Sequence, residues 1–234
     1  MSNLNPTSSP GINEIPTKIL KMSINKLAPI LMDFNSCFAQ KEIPNDWKFA
    51  MVTPLHKGKK KNKQKCDNYR GINVLVPIAK VFESILTNQL ERYFYLNNFI
   101  SPNQHGFRRG FSCETALNEL LNFLNLSRDQ KRIIMLLFID YRKAFDTVDS
   151  SILLLKLEFG YNFSKSAIDL IANYFKHRKQ VVKFGFNLSE TEDIDLGIPQ
   201  GGKVGPFFFK VMINDLPFML YLLSLMFADD TTIY

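Results

Sequence analysis

Phe227-Ala228-Asp229-Asp230 closes an almost uncharged run that begins at Phe218. Two ionised carboxylates at the end of a greasy segment are costly unless a cation or hydrogen bonds compensate them. Tyr221 to Phe227 has strand length, and Thr231-Thr232-Ile233-Tyr234 is again β-prone. The pattern predicts a hairpin with Ala228-Asp229-Asp230 at its tip.

A second acid stands in a similar place. Ile133 to Ile139 is a continuous apolar run ending at Asp140, which reads as a fully buried central strand with a carboxylate at its C-terminal end. Neighbouring strands would bring Asp140 beside Asp229 and Asp230. Carboxylates that close repel, so one must protonate or the group must hold cations. Hard oxygen ligands suit Mg²⁺, which takes one or two protein carboxylates and fills its shell with water and substrate phosphates. Two such ions clamp the attacking and leaving oxygens of a phosphoryl transfer. Asp149 and Asp215 read instead as cap or turn residues.

Between these acids and the N-terminus lies the densest charge. Lys57, Lys59, Lys60, Lys61, Lys63 and Lys65 fall within nine residues with no acid among them, followed by Tyr69-Arg70-Gly71. A solvated loop is the plain reading; a loop contacting polyphosphate is the functional one. Phe49 to Leu55 reads as a strand and Asn73 to Val76 as another. Apolar residues from Ile19 to Phe38 recur at roughly helical spacing, with a bend or break at Pro29. Pro77 opens a helix to about Tyr95, with Val81, Phe82, Ile85, Leu86, Leu90 and Phe94 on one side. Ser112 caps a helix whose apolar face is Leu117, Leu120, Leu121 and Leu124. Helices span about 149–178, broken near Gly160 and recapped by Ser164. Gln180 to Phe186 pairs with Glu192 to Leu196, and a glycine-rich turn at 197–202 leads into a helix from about Val204 to Asp215. Helices and short strands mix without βαβ alternation, which predicts an α+β fold.

The composition bounds the reading. The 234 residues are 46% hydrophobic with 21 phenylalanines, enough for a sizeable core. A net charge of +7 suits an anionic partner. Cys37, Cys66 and Cys113 form no C-x-x-C pair, so neither a disulfide framework nor a zinc site is expected. Free thiols fit the nucleus or cytoplasm, and no secretory leader or apolar membrane span is seen.

The motifs resemble those of the reverse transcriptase domain of non-LTR retrotransposons, the long interspersed and jockey-like elements. Phe227-Ala228-Asp229-Asp230 resembles their A/Y-x-D-D motif. Ser9-Pro10-Gly11 with Ile15-Pro16 resembles S-P-G-x-D-G-I-P, and Trp47-Lys48 with Pro54-Leu55-His56-Lys57 resembles W-K-x-x-x-V-x-P-L-x-K. Asn68-Tyr69-Arg70-Gly71-Ile72 resembles N-Y-R-P-I, Lys80 and Glu83 sit at K-x-x-E, and Gln104-His105-Gly106-Phe107-Arg108 resembles Q-x-G-F-R. Asp140-Tyr141-Arg142-Lys143-Ala144-Phe145-Asp146 resembles D-F-x-K-A-F-D. Gly197-Ile198-Pro199-Gln200-Gly201 and Ile213-Asn214-Asp215-Leu216-Pro217 resemble G-x-P-Q-G and I-N-D-L-P.

This resemblance implies an RNA-directed DNA polymerase of right-hand form: fingers and palm, an antiparallel palm sheet with packed helices, and no thumb in this chain. Residues of about 1–135 would be mostly fingers with a palm contribution, and about 132–234 mostly palm. Asp140, Asp229 and Asp230 would be catalytic and, with the Tyr141 carbonyl, would hold two Mg²⁺ ions, or Mn²⁺ in their place. Lys57, Arg70, Lys143, Ala144, Phe145 and Gln200 would bind the deoxynucleoside triphosphate, Phe145 as the steric gate against a 2′-hydroxyl. Arg108, Gly201 and Gly202 would meet the RNA template and DNA primer.

Some positions depart from the family pattern. Gly71 replaces a proline, Glu14 a glycine and Gly202 a serine whose hydroxyl could cap the next helix. Lys210 interrupts an aromatic stretch on a helix expected to be buried, an uncomfortable place for a charge unless its ammonium snorkels out. With only four residues after Asp230, the chain reads as a fragment of an element's second open reading frame. The alternatives are a catalytically inactive, truncated remnant that at most binds nucleic acid, and an RNA-templated RNA polymerase, against which Phe145 argues.

Overall fold

Val81, Phe82, Leu86, Leu90 and Phe94 recur at helical spacing, and the helix they build is the spine of the core. The computed structural model describes residues 11–12, 15–23, 32–58, 61–220 and 222–234. The Ser9-Pro10 part of the first motif, Glu14, the bend at Pro29, Lys59, Lys60 and Tyr221 lie outside the described residues.

In chain order, α1 (Thr17–Met22) and α2 (Met32–Gln40) precede β1 (Phe49–His56) and β2 (Tyr69–Leu75). Next come α3 (Pro77–Leu96), α4 (Cys113–Asp129) and β3 (Leu137–Ile139). Helix α5 (Ser150–Leu155) widens into a π turn at Lys156–Gly160 and is followed by α6 (Lys165–Phe175). Strands β4 (Arg178–Phe184), β5 (Asn187–Leu188) and β6 (Glu192–Ile194) lead to α7 (Val204–Ile213) and α8 (Leu216–Leu220). The described chain closes on β7 (Ser224–Phe227) and β8 (Asp230–Ile233). Caps set several of these starts: Ser112, Asp149 and Ser164 each accept a backbone N–H of the helix they precede.

Two sheets organise the strands. In one, β1 pairs antiparallel with β2, setting Leu55 opposite Arg70, and parallel with β4, whose far edge takes β5 and β6. In the other the order is β3-β8-β7, all antiparallel. Strands from both sides of residue 135 therefore share the first sheet. The main core is built largely from helices. Phe207, Phe208 and Val211 of α7 meet α3, with Leu153, Leu157, Ile168 and Ile171 closing the sides. Each such fully buried side chain contributes on the order of 1.5–3 kcal/mol.

The fold is the fingers-and-palm α+β arrangement the motifs imply, with two corrections. The run 133–139 is not a buried central strand. Only Leu137–Ile139 pairs, β3 is the sheet's edge among the described residues, and Ile133, Met135 and Phe138 are largely exposed. The centre is β8, where Thr231 and Ile233 are buried. An apolar run implies burial only if elements cover both its faces, and none of the described ones covers these residues. Of the apolar face expected on α4, Leu117 and Leu121 are exposed and Leu120 and Leu124 half-buried, while Ala116 and Ser127 are the buried positions. Among the described residues no helix is long and apolar enough to cross a membrane.

Candidate active site

The β7–β8 hairpin has a two-residue turn, Ala228-Asp229. Asp230 already pairs with Phe227, so it belongs to the strand rather than the tip. Ala228 takes a left-handed conformation (φ +56°), which costs a residue with a Cβ and needs outside support. Gln104 gives it. This side chain is buried, its Oε1 accepts from the N–H of Ala228 at 3.0 Å and of Gly106 at 2.7 Å, and its Nε2 donates to the Ala228 carbonyl at 3.4 Å. Backbone bonds between Asn103 and Met226 and between His105 and Met226, both 2.8 Å, lay this segment along β7. Gly106 has no Cβ because one would overlap the Ala228 backbone.

Asp140 follows Ile139, whose partner is Thr231, so register sets Asp140 level with Asp230. The chain then folds into a tight turn, with Lys143 left-handed (φ +54°) and its carbonyl accepting from Asp146 N–H at 2.8 Å. Against this turn lies the 197–202 loop. Gly197 N–H donates to the Val148 carbonyl and Ile198 N–H to the Phe145 carbonyl, each at 2.8 Å. Gln200 Nε2 donates to Asp146 Oδ1 at 2.8 Å, and its carbonyl accepts from Asn73 N–H at 2.7 Å. The second sheet's acids and the first sheet's hairpin thus share one cleft.

That cleft, of about 640 Å³, is lined by Lys57, Asp67, Tyr69, Arg70, Gly71, Phe107 and Gln200, by every residue from Asp140 to Asp146, and by Asp229. Eight of the residues expected at the site line it: Lys57, Arg70, Asp140, Tyr141, Lys143, Ala144, Phe145 and Gln200, with Asp229 as the ninth. Phe145 is stacked on Phe209, centroids 4.7 Å apart and planes 21° apart, with Phe107 edge-on at 6.4 Å.

Four expected residues do not line it. Asp230 is exposed beside it. Arg108 is spent on the protein itself: its Nη1 donates to the carbonyls of Ser101, Pro102 and Gln104, its guanidinium lies 3.9 Å over Phe111, and burial lowers its pKa. Gly201 (φ +113°) is pressed on the Asn73 carbonyl and Gly202 on the Glu83 carboxylate, so both approach the protein's own atoms rather than open space. Lys61, Lys63 and Lys65 are exposed on their loop.

Sequence reasoning missed several residues in or near the cleft, among them Asp67, Gln104 and Phe107. Asp67 pairs with Arg142 at 3.7 Å and Lys143 at 3.8 Å, and its carbonyl accepts from Lys57 Nζ at 2.9 Å. Its signal was an acid set two residues after the lysine run. Gln104 and Phe107 lie in a quoted motif, but only the fold shows what they touch. Lys210 does not snorkel. It is buried, and its ammonium donates to the Phe107 carbonyl at 2.6 Å with Glu91 at 3.9 Å.

The donor set suits a hard cation. Asp140 and Asp229 face one cleft. Among the described residues no three His, Cys, Asp or Glu side chains gather into a closed metal cage. Few protein carboxylates with room for phosphate oxygens is what Mg²⁺ accepts, unlike a structural metal.

Acids at a hairpin turn, facing cations from a second sheet across a polar cleft, are the arrangement that metal-assisted phosphoryl transfer requires. Residues 58–234 match the family model described as reverse transcriptase (RNA-dependent DNA polymerase), and the chain belongs to that family. It is 26% identical over 210 residues to a protein of Drosophila melanogaster described as a probable RNA-directed DNA polymerase from transposon BS, covering 89% of this chain and 23% of that one. It is 30% identical over 203 residues to the Pol polyprotein of the type-1 retrotransposable element R1 of Bradysia coprophila, covering 86% and 20%. These relatives meet the expectation of a non-LTR retrotransposon reverse transcriptase. The chain spans about a quarter of the length of the curated relatives it matches. Apo telomerase from Candida tropicalis shares the fold, with a TM-score of 0.58 at 11% identity over 88% of this chain and 44% of that one.

Proposed function

We propose that this domain extends a DNA primer on an RNA template, adding deoxynucleotides to the primer 3′-hydroxyl with release of pyrophosphate. The single observation carrying this is the cleft that joins Asp140 and Asp229 to Lys57, Arg70, Lys143, Phe145 and Gln200. The first sheet acts as fingers and the β3-β8-β7 sheet as palm. Asp140 and Asp229, with Asp230 alongside and the Tyr141 carbonyl as a further donor, would hold two Mg²⁺ ions, or Mn²⁺, which supply hydroxyl activation and neutralise the leaving pyrophosphate.

The remaining work falls to this chain's own groups. Arg70 and Lys57 at the mouth of the β1–β2 hairpin, with Lys143, bind the triphosphate; the guanidinium fork matches phosphate oxygens. Phe145, backed by Phe209, lies under the sugar and excludes a 2′-hydroxyl by overlap. Ala144 is buried beside it and keeps the backbone close. Gln200, oriented by Asp146, contacts the nucleotide, and the 201–202 turn carries the loop past the template-primer. Template bases, not side chains, select the nucleotide. A polymerase of this kind works in the nucleus or cytoplasm, where Cys37, Cys66 and Cys113 stay reduced. Primer extension on an RNA template with deoxynucleotides and Mg²⁺ tests the reading. Extension that survives Asp229→Asn undiminished would refute it.

A further inference from the structure

Phe107 is a bulky residue held in the left-handed region (φ +52°), a conformation aromatic side chains rarely adopt without support. Its ring is half-exposed, lines the cleft and meets Phe145 edge-on, 6.4 Å away at 85°. Its carbonyl is gripped from below by Lys210 Nζ at 2.6 Å. Lys210 is 4% exposed on α7, one residue after the Phe209 that stacks on Phe145. The ammonium also lies 5.7 Å over the Phe207 ring. A cation taken out of water inside an aromatic helix is costly unless hydrogen bonds and pairing offset the lost hydration. Here the contact fixes the backbone of a cleft residue.

We propose that Phe107, edge-on to the Phe145 ring that Phe209 stacks against, forms a second wall of the sugar gate, and that Lys210 is the positioning residue that holds it there. The inference rests on the polymerase reading above. Phe145 alone could swing away from a 2′-hydroxyl. With Phe209 stacked on it and Phe107 edge-on to it, that movement is restricted, so the overlap becomes an energetic penalty rather than a side-chain movement.

The test is the ratio of ribonucleotide to deoxynucleotide incorporation, each as kcat/KM, in primer extension. Two variants probe the two residues. Phe107→Ala removes the ring without touching the core, and Lys210→Met removes the ammonium at nearly equal volume. Phe107→Ala is expected to raise the ratio about tenfold, the scale of losing one apolar contact in a pocket. Lys210→Met is expected to raise it several-fold, with the melting temperature reporting separately on stability. A merely structural role would lower both efficiencies together and leave the ratio unchanged, which overturns the proposal while the polymerase reading stands. A wild-type protein that extends no primer overturns both.

Discussion

Glu83 caps the helix that begins after Gly202. Its Oε2 accepts the Lys203 N–H at 2.7 Å, and its Oε1 accepts the Tyr174 hydroxyl at 2.7 Å. A Cβ on Gly202 would overlap that same carboxylate. The helix therefore lacks nothing for want of a serine at 202: the negative end it needs comes from α3, across the core. Gly202→Ser is expected to destabilise by about 1–3 kcal/mol through overpacking, read from the denaturation midpoint. Gly202→Ala should cost as much, since volume and not the hydroxyl is at fault. A raised midpoint for either would show the cap assignment to be mistaken.

The same carboxylate makes stability depend on pH. Glu83 is 2% exposed, and burial raises its pKa above the usual 4.5, against the opposing pull of Tyr174, Arg178 and the helix N–H groups. A raised folded pKa means that the folded state binds the proton more tightly than the unfolded state. This group's contribution is fully present below about 4.5 and is lost as pH rises through the folded value. Glu83→Gln does not titrate there. The difference in unfolding free energy, wild type minus Glu83→Gln, should therefore fall as pH is raised from about 4.5. A difference that stays flat or grows over that rise would contradict the buried-acid account.

Local signals predicted local structure. Helical spacing predicted the buried face of α3, and Ser112, Asp149 and Ser164 predicted three helix starts, because a cap and its partners lie within a few residues. Asp215, read as a turn residue, binds Lys156 at 2.7 Å. The motif acids and cations were legible because their residue types are few and their spacings fixed. What failed was long-range. Nothing near Ile133 says that β8 and not β3 lies at the centre, and nothing near Lys210 says that a carbonyl from Phe107 waits beside α7. Gln104 is one polar residue in a loop until the fold brings it to Ala228.

That meeting has a measurable consequence. Gln104→Leu would leave the N–H groups of Ala228 and Gly106 buried without acceptors, each costing about 1–3 kcal/mol. The turn that aims Asp229 would lose its brace. Extension is expected to drop at least tenfold, with a higher Mg²⁺ concentration needed for half-maximal rate, because the defect lies in placing a ligand. Loss of stability with an unchanged Mg²⁺ requirement would limit Gln104 to a packing role.

Ala228 itself offers the converse experiment. At φ +56° its Cβ strains the turn, whereas glycine adopts this conformation freely. Ala228→Gly should relieve native-state strain while loosening the unfolded chain, so the net gain in stability is expected to stay within about 1 kcal/mol. Extension should not improve, since the brace from Gln104 already sets Asp229. A clear loss of stability would mean that the buried methyl outweighs the strain.

Asp67 holds Arg142 and Lys143 from the exposed rim of the cleft, with oxygens 3.7 and 3.8 Å from their nitrogens. A triphosphate entering among Lys57, Arg70 and Lys143 meets that carboxylate as a competitor for the same cations. Exposed pairs of this length contribute at most about 1 kcal/mol. Asp67→Asn should therefore lower the KM for deoxynucleotides about two- to fivefold, with kcat little changed, and the effect should fade as salt screens the cleft. A raised KM would mean that Asp67 orders the cations for the nucleotide instead of competing with it.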